Sequence, residues 1–339
     1  MNLTAAVTRA FAPATGQRHP QLGVEIELIP HRGGQPIDPA VLAGGFDPAF
    51  TAAARPSFEP GGQLELSPPP HASVRDVASA AGRLLARAEE IGRCRGIRFD
   101  LIGVDRRHDC TQVPLRSTTP RYLAMQREFD RTGQDGRRMM RLTASLQVCV
   151  DLLPGRPGVE QWLVSNLVGP ALAVEFANSP GVARSRLAIW RGVDHRRTGY
   201  DGRHLDPADP VGAYAAFAAA ADRFDLPDAN RPDYHLSTLF PPVRPRGGYL
   251  EIRYLDAQPV GRIAEAVAVV AALTLEPRAR RDALDLLLPR VGDIDGAWGR
   301  AEIGECPDRG AVLAIARAGM RRLPRDFLPI EVAEGRWAA

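Results

Sequence analysis

The chain has 339 residues, enough for one large domain or two ordinary ones, and its 45% apolar and 24% charged residues fit a soluble globular protein. A net charge of +3 is too small to argue for nucleic acid or an anionic membrane as a partner. No lysine occurs, which excludes a Walker A phosphate loop and any Schiff-base mechanism.

The opening MNLTAAVTRAFAPATG is mildly apolar, without a long h-region or a clear cleavage site. No segment reaches the length of a transmembrane helix. Cys94, Cys110, Cys149 and Cys306 are scattered without CxxC or zinc-like spacing, so reduced thiols in a cytoplasmic protein are expected. GVEIEL (23–28) reads as a strand with Glu25 and Glu27 on one face and Val24, Ile26 and Leu28 on the other. A Gly/Pro-rich stretch follows, and FEPGGQLELS (58–67) is a turn running into a strand, stopped by SPPPH. Helical spacing spans 73–93 with Ser73 as N-cap. A strand is expected at 97–104, a loop at 105–119, and a helix at 120–130 opening on Pro120. TASLQVCVDL (143–152) alternates most clearly, with Thr143, Ser145, Gln147, Cys149 and Asp151 on one face. A helix over 158–177 ends at NSP, and the Arg/Gly/Asp-rich 181–210 reads as a binding loop. A helix near 211–223 and a Pro/Arg-rich stretch (238–248) lead into YLEIRYLD (249–256), with Glu251 and Arg253 on one face. Helices are expected at 262–275 and 278–289. Strands and helices interleave without the beat of a parallel sheet, which favours an α+β fold around an antiparallel sheet with helices on its apolar side.

The three acidic strands carry the chemistry. An antiparallel sheet with one wet face would explain them plainly. However, glutamate recurs at the centre of each strand, where like charges on neighbouring strands repel. Hard divalent cations would reverse that sign. Glu25, Glu27, Glu59, Glu65 and Glu251 supply the number of carboxylates that two or three Mg²⁺ ions need. Arg253 shares a face with Glu251 and could neutralise a transferring phosphoryl group, or simply form a cross-strand ion pair. The seven histidines lack HxH or HExxH spacing and are expected in loops or the core, with His235 the one candidate for an active-site rim.

LGVEIEL, SFEPGGQLELS, TASLQVCVD, FANSP, SRLAIWRGVD with its following RRTG, and YHLSTLFPPVRPRGGYLEIRYLDAQP resemble, in order, the motifs of glutamate–cysteine ligase family 2. Within it the nearest likeness is to the actinobacterial branch of ergothioneine biosynthesis. The resemblance implies a glutamine-synthetase-like fold: one catalytic domain over 1–339, whose curved antiparallel sheet forms a funnel with helices on its outer face. Residues 1–22 would be an N-terminal extension and 261–339 a helical part of the same domain. It implies ATP- and Mg²⁺-dependent joining of L-glutamate to L-cysteine through a γ-glutamyl phosphate. By resemblance Glu25, Glu27, Glu59, Glu65 and Glu251 are metal ligands, Arg253 faces the phosphates, and Gln147 helps form the nucleotide or substrate pocket. Arg186 and Trp190 match a segment suited to binding a substrate carboxylate, since a guanidinium takes one bidentately. Asn178, Ser179, Arg197 and Thr198 are further candidates, each equally readable as a cap or loop-shaping residue. Two departures stand out: Cys149 where relatives carry Asn, and a shorter segment before the first acidic strand. Both direct attention to the amine acceptor, so a ligase using another amine and a non-catalytic ATP- or amino-acid-binding relative stay open.

Overall fold

The computed structural model describes residues 2–16, 19–179 and 185–335. Strand β1 (Leu22–Arg32) is the axis of an open antiparallel sheet. Its first half pairs with β4 (Leu64–Leu66) on one side and β6 (Leu146–Asp151) on the other. Its second half pairs with β2 (Gln35–Pro36) and β5 (Arg98–Asp100). Beyond β4 lies β3 (Ser57–Phe58), and beyond β6 lie β8 (Tyr249–Ile252) and β7 (Val243–Pro245), giving the order β3-β4-β1-β6-β8-β7.

Alternation divides the sheet as the sequence requires. Val24, Ile26, Leu28, Leu64, Leu66, Leu146, Val148, Val150, Leu250 and Ile252 are all buried on one side. Helix Val260–Leu275 packs against β6 there, flanked by helices Val74–Arg93, Arg156–Leu167, Pro277–Leu287 and Arg309–Met320. Being surrounded explains why it is apolar on nearly every face. Helix Val74–Arg93 starts where Ser73 predicts, with the Asp76 N–H donating to Ser73 Oγ at 3.1 Å. Helix Pro120–Phe129 likewise opens on its proline.

Several expectations need correction. The helix expected over 158–177 is two, Arg156–Leu167 and Gly169–Glu175. Pro170 has no N–H to donate and its ring crowds the preceding turn, so the helix breaks beside it. The strand at 97–104 shrinks to Arg98–Asp100, and that at 249–256 to Tyr249–Ile252, with Asp256 returning only as a bridge to Ser145. The expected loop at 181–210 carries helices Arg186–Arg191 and His195–Thr198, while 180–184 lies outside the described residues. Helices Leu3–Ala10, Pro39–Ala43, Pro48–Ala54 and Asp135–Leu142 were not legible as such. Among the described residues no helix is long and apolar enough to cross a membrane.

Candidate active site

Register places the polar residues in rows across the sheet. Glu27 stands opposite Glu65, and Glu25 opposite Gln147. Cys149 lies between Gly23 and Glu251, which in turn faces Arg244. Asp151 pairs with Tyr249. Glu59 joins from the turn Pro60-Gly61-Gly62, closed by the Gly62 N–H donating to Glu59 O at 2.8 Å. That turn needs its glycines. Gly62 has φ +99°, and a Cβ on Gly61 would lie 2.5 Å from the Arg141 backbone.

Glu27, Glu59 and Glu65 converge: an oxygen from each lies within 4.8 Å of the others. Glu27 is buried and accepts from the Ser145 N–H and Ser145 Oγ, both at 2.8 Å, and from Gln147 Nε2 at 3.0 Å. Glu65 accepts from Ser57 Oγ at 2.8 Å. Burial, then the charges of Glu27 and Glu65, pushes the Glu59 carboxyl well above its ordinary value. Burial, then Glu65, raises Glu27. Burial, then Glu251 and Glu65, lifts Glu25 to about 8. A divalent cation would relieve all three, and oxygen-only donors suit a hard ion such as Mg²⁺.

Glu251 is not in that trio. It is fully buried, and Arg244, Arg246 and Arg253 all pair with it, Arg244 Nη2 donating at 2.7 Å and Arg246 Nε lying at 3.2 Å. Burial works against its charge, but Arg244, Arg253 and Arg246 outweigh that and hold its pKa at about 2. Arg253 Nη1 also donates to Gln147 Oε1 at 2.7 Å.

A second wall stands beside the acids. The Arg186 guanidinium lies 5.0 Å from the Trp190 ring centroid, and that of Arg253 5.7 Å. Arg186 Nη2 donates to the Arg253 carbonyl at 2.8 Å. Arg186 Nε, Trp190 Nε1 and Arg253 Nε are buried without a hydrogen-bond partner. Other buried nitrogens, such as Arg116 Nε and Arg141 Nε, are also unpaired; these three are distinguished by meeting around the Trp190 ring, an arrangement that suits an acidic ligand supplying acceptors.

The hydrogen bonds of the weaker candidates go to groups other than these glutamates. Asn178 Nδ2 donates to Leu101 O at 2.6 Å and Ala257 O at 2.8 Å. Ser179 Oγ donates to Asp256 Oδ2 at 2.6 Å and accepts from the Arg186 N–H at 3.2 Å, so it fixes the segment carrying Arg186. Arg197 is fully buried over Phe224 and paired with Asp194 and Thr238, and Thr198 Oγ1 donates back to Asp194 O. His235 is in the core, 2.7 Å from Ala218 O, not at a rim.

Sequence reasoning missed Tyr122, whose hydroxyl pKa is raised by burial and then by Glu59 and Glu65. It missed Arg244 and Arg246 as holders of Glu251, although the RPR alternation ahead of YLEIR was the available signal. It also missed a cavity of about 220 Å³ lined by Glu25, Cys149, Asp151, Tyr249, Pro68 and Arg55.

Convergent carboxylates and arginines with free N–H groups, laid on an open antiparallel sheet, are chemically suited to a cation and acidic small molecules. The profile of glutamate–cysteine ligase family 2 matches residues 21–295. The chain belongs to that family and is a ligase. It is 33% identical over 325 residues to "Glutamate--cysteine ligase EgtA" of Mycolicibacterium smegmatis, covering 83% of this chain and 74% of the relative. It is 31% identical over 319 residues to the enzyme of the same name from Mycobacterium tuberculosis, covering 80% and 71% respectively. Among solved structures, a bifunctional glutathione synthetase from Pasteurella multocida aligns with TM-score 0.47 and 12% identity, over 98% of this chain and 52% of that one.

Proposed function

We propose that the chain joins the γ-carboxylate of L-glutamate to the amine of L-cysteine at the expense of ATP, giving γ-glutamylcysteine, ADP and phosphate. The observation that carries this proposal is the carboxylate trio Glu27, Glu59 and Glu65 beside the unsatisfied donors of Arg186, Trp190 and Arg253. Family membership and relatives named for this activity support it.

The trio would hold Mg²⁺, with Glu25 and Glu251 left for a second ion, Glu251 then sharing its oxygens with its arginines. When bound, the ion supplies positive charge against the phosphate oxygens and lowers the barrier to phosphoryl transfer. Arg253, held by Glu251 and Gln147, adds fixed charge where the phosphoryl group passes. Arg186, stacked on Trp190, takes a carboxylate of glutamate and sets its γ-carboxylate toward the γ-phosphorus. Attack there breaks the bond to ADP and forms γ-glutamyl phosphate. The cysteine amine then displaces phosphate, so no protein nucleophile is used. Burial, then Glu25 and Glu251, pushes the Cys149 thiol well above its ordinary pKa, which fits a spectator.

The product fits a role in ergothioneine or another low-molecular-weight thiol pathway. The four free cysteines fit a reducing, cytoplasmic setting, and one large buried core with a small satellite at Ile29, Ala144 and Ala257 fits a single catalytic domain. Measuring ADP release with ATP, Mg²⁺ and L-glutamate, while varying the amine, tests the proposal. Cysteine-dependent release is expected. Release that depends on another amine would reassign the acceptor, and nucleotide binding without turnover would make the chain a non-catalytic relative.

A further inference from the structure

Helix Pro48–Ala54 ends on Arg55 in the left-handed region, φ 45° and ψ 58°. It is the one described non-glycine residue with positive φ. A helix ending this way ordinarily uses Gly or Asn, because a side chain on a left-handed residue crowds its own backbone. The conformation is enforced from both sides. The Arg55 N–H donates to Thr51 O at 3.0 Å, the Ser67 N–H ties Ala54 O at 2.7 Å, and Pro56 denies Arg55 the helical alternative. An unfavourable residue kept at a fixed turn invites a reason in its side chain.

That side chain lines the cavity of about 220 Å³ that begins at Glu25 and continues past Cys149 to Tyr249 and Asp151. Arg55 is exposed and forms no ion pair among the described residues. The cavity therefore has the Glu25 carboxylate at one end and Asp151 at the other, an uncommitted cation at its wall, and the flat apolar surfaces of Pro68, Pro70 and Tyr249. Glutamate is provided for elsewhere, at Arg186 and Trp190. A ligand whose phosphates start at a cation on the Glu25 side and run outward would meet Arg55 next, and its ring would meet the prolines and the tyrosine.

We propose that this cavity takes the outer part of the nucleotide and that Arg55 binds its phosphate chain. The role assigned to Arg55 rests on the ATP-dependent ligase reading above. Arg55→Gly separates side chain from backbone, since glycine suits the left-handed turn and should raise Tm. Affinities for Mg·ADP and for L-glutamate are measured by calorimetry on wild type, Arg55→Gly and Arg55→Lys. Arg55→Gly should weaken Mg·ADP about tenfold while leaving L-glutamate within about twofold, and Arg55→Lys should recover much of the loss. Unchanged Mg·ADP affinity in Arg55→Gly, equal loss of both ligands, or loss of L-glutamate alone would overturn the assignment. A wild-type chain that binds no Mg·ADP would overturn the ligase reading and this assignment together.

Discussion

Binding of Mg²⁺ to the acidic floor should expel protons from Glu27 and Glu59 as well as Glu25, and the share of Glu25 follows from its pKa. Its carboxyl is lifted from 4.5 to about 8 by burial and then by the charges of Glu251 and Glu65. At pH 7 such a group is protonated in roughly nine-tenths of molecules, and a cation needs it ionised. Binding should therefore release about 0.9 proton from Glu25 alone, and affinity should rise roughly tenfold per pH unit below pH 8. The ion-free protein shows the same linkage with opposite consequence. Between about pH 4.5 and 8 the unfolded chain binds fewer protons than the native one, so stability falls as pH rises. Glu25 contributes a slope of about 1.3 kcal/mol per unit in mid-window, which halves at about pH 8 and fades above about pH 9. Calorimetric titration in two buffers of different ionisation enthalpy reads the proton release, and thermal melts from pH 5 to 9 read the stability. Glu25→Gln should remove about one proton from the release and flatten the melt profile. Mg²⁺ affinity that is flat from pH 6 to 8, with no proton release, would refute the placement of Glu25 at a cation site.

Glu65→Gln keeps a side chain that Ser57 can still contact but removes a charge from the trio, so Mg²⁺-dependent turnover should fall at least about 100-fold with Tm little changed. Normal turnover would remove Glu65 from the metal site. Arg186→Ala should raise KM for glutamate about tenfold or more while KM for ATP moves less than about twofold; equal effects would argue against a carboxylate contact. Glu251→Gln strands three arginines around a neutral amide and should lower stability by about 3 kcal/mol in denaturant unfolding. Because the pKa of Glu251 is held at about 2, its contribution is complete above pH 4.5 and lost as pH falls toward 2. The variant should show a flatter acid limb over that window, and an unchanged limb would mean that the arginine cage contributes no stability.

The rows of the sheet were legible because strand alternation has a fixed period. Glu25, Glu27, Gln147 and Glu251 fall on the polar face wherever the ends of the strands lie. What alternation cannot supply is distance between strands and the partner each acid chooses. Glu251 and Glu65 look alike in sequence, yet one sits among three arginines and the other opposite Glu27. Arg197 and Thr198 resemble binding residues by motif, but both turn onto Asp194, the cap of their own short helix. Tyr122 was invisible because nothing in a helix's sequence states which sheet face its side chain overlooks. Arg55 was invisible because a left-handed backbone at an arginine leaves no compositional mark.

The most direct measurement follows oxygen. Supplying L-glutamate labelled with ¹⁸O in its γ-carboxylate, together with ATP, Mg²⁺ and L-cysteine, should give γ-glutamylcysteine by mass and one ¹⁸O in each phosphate released. That transfer occurs only if the γ-carboxylate itself attacks ATP before the amine arrives. Dipeptide formed with unlabelled phosphate would contradict the acyl-phosphate route, and absence of the dipeptide would contradict the proposed ligase activity.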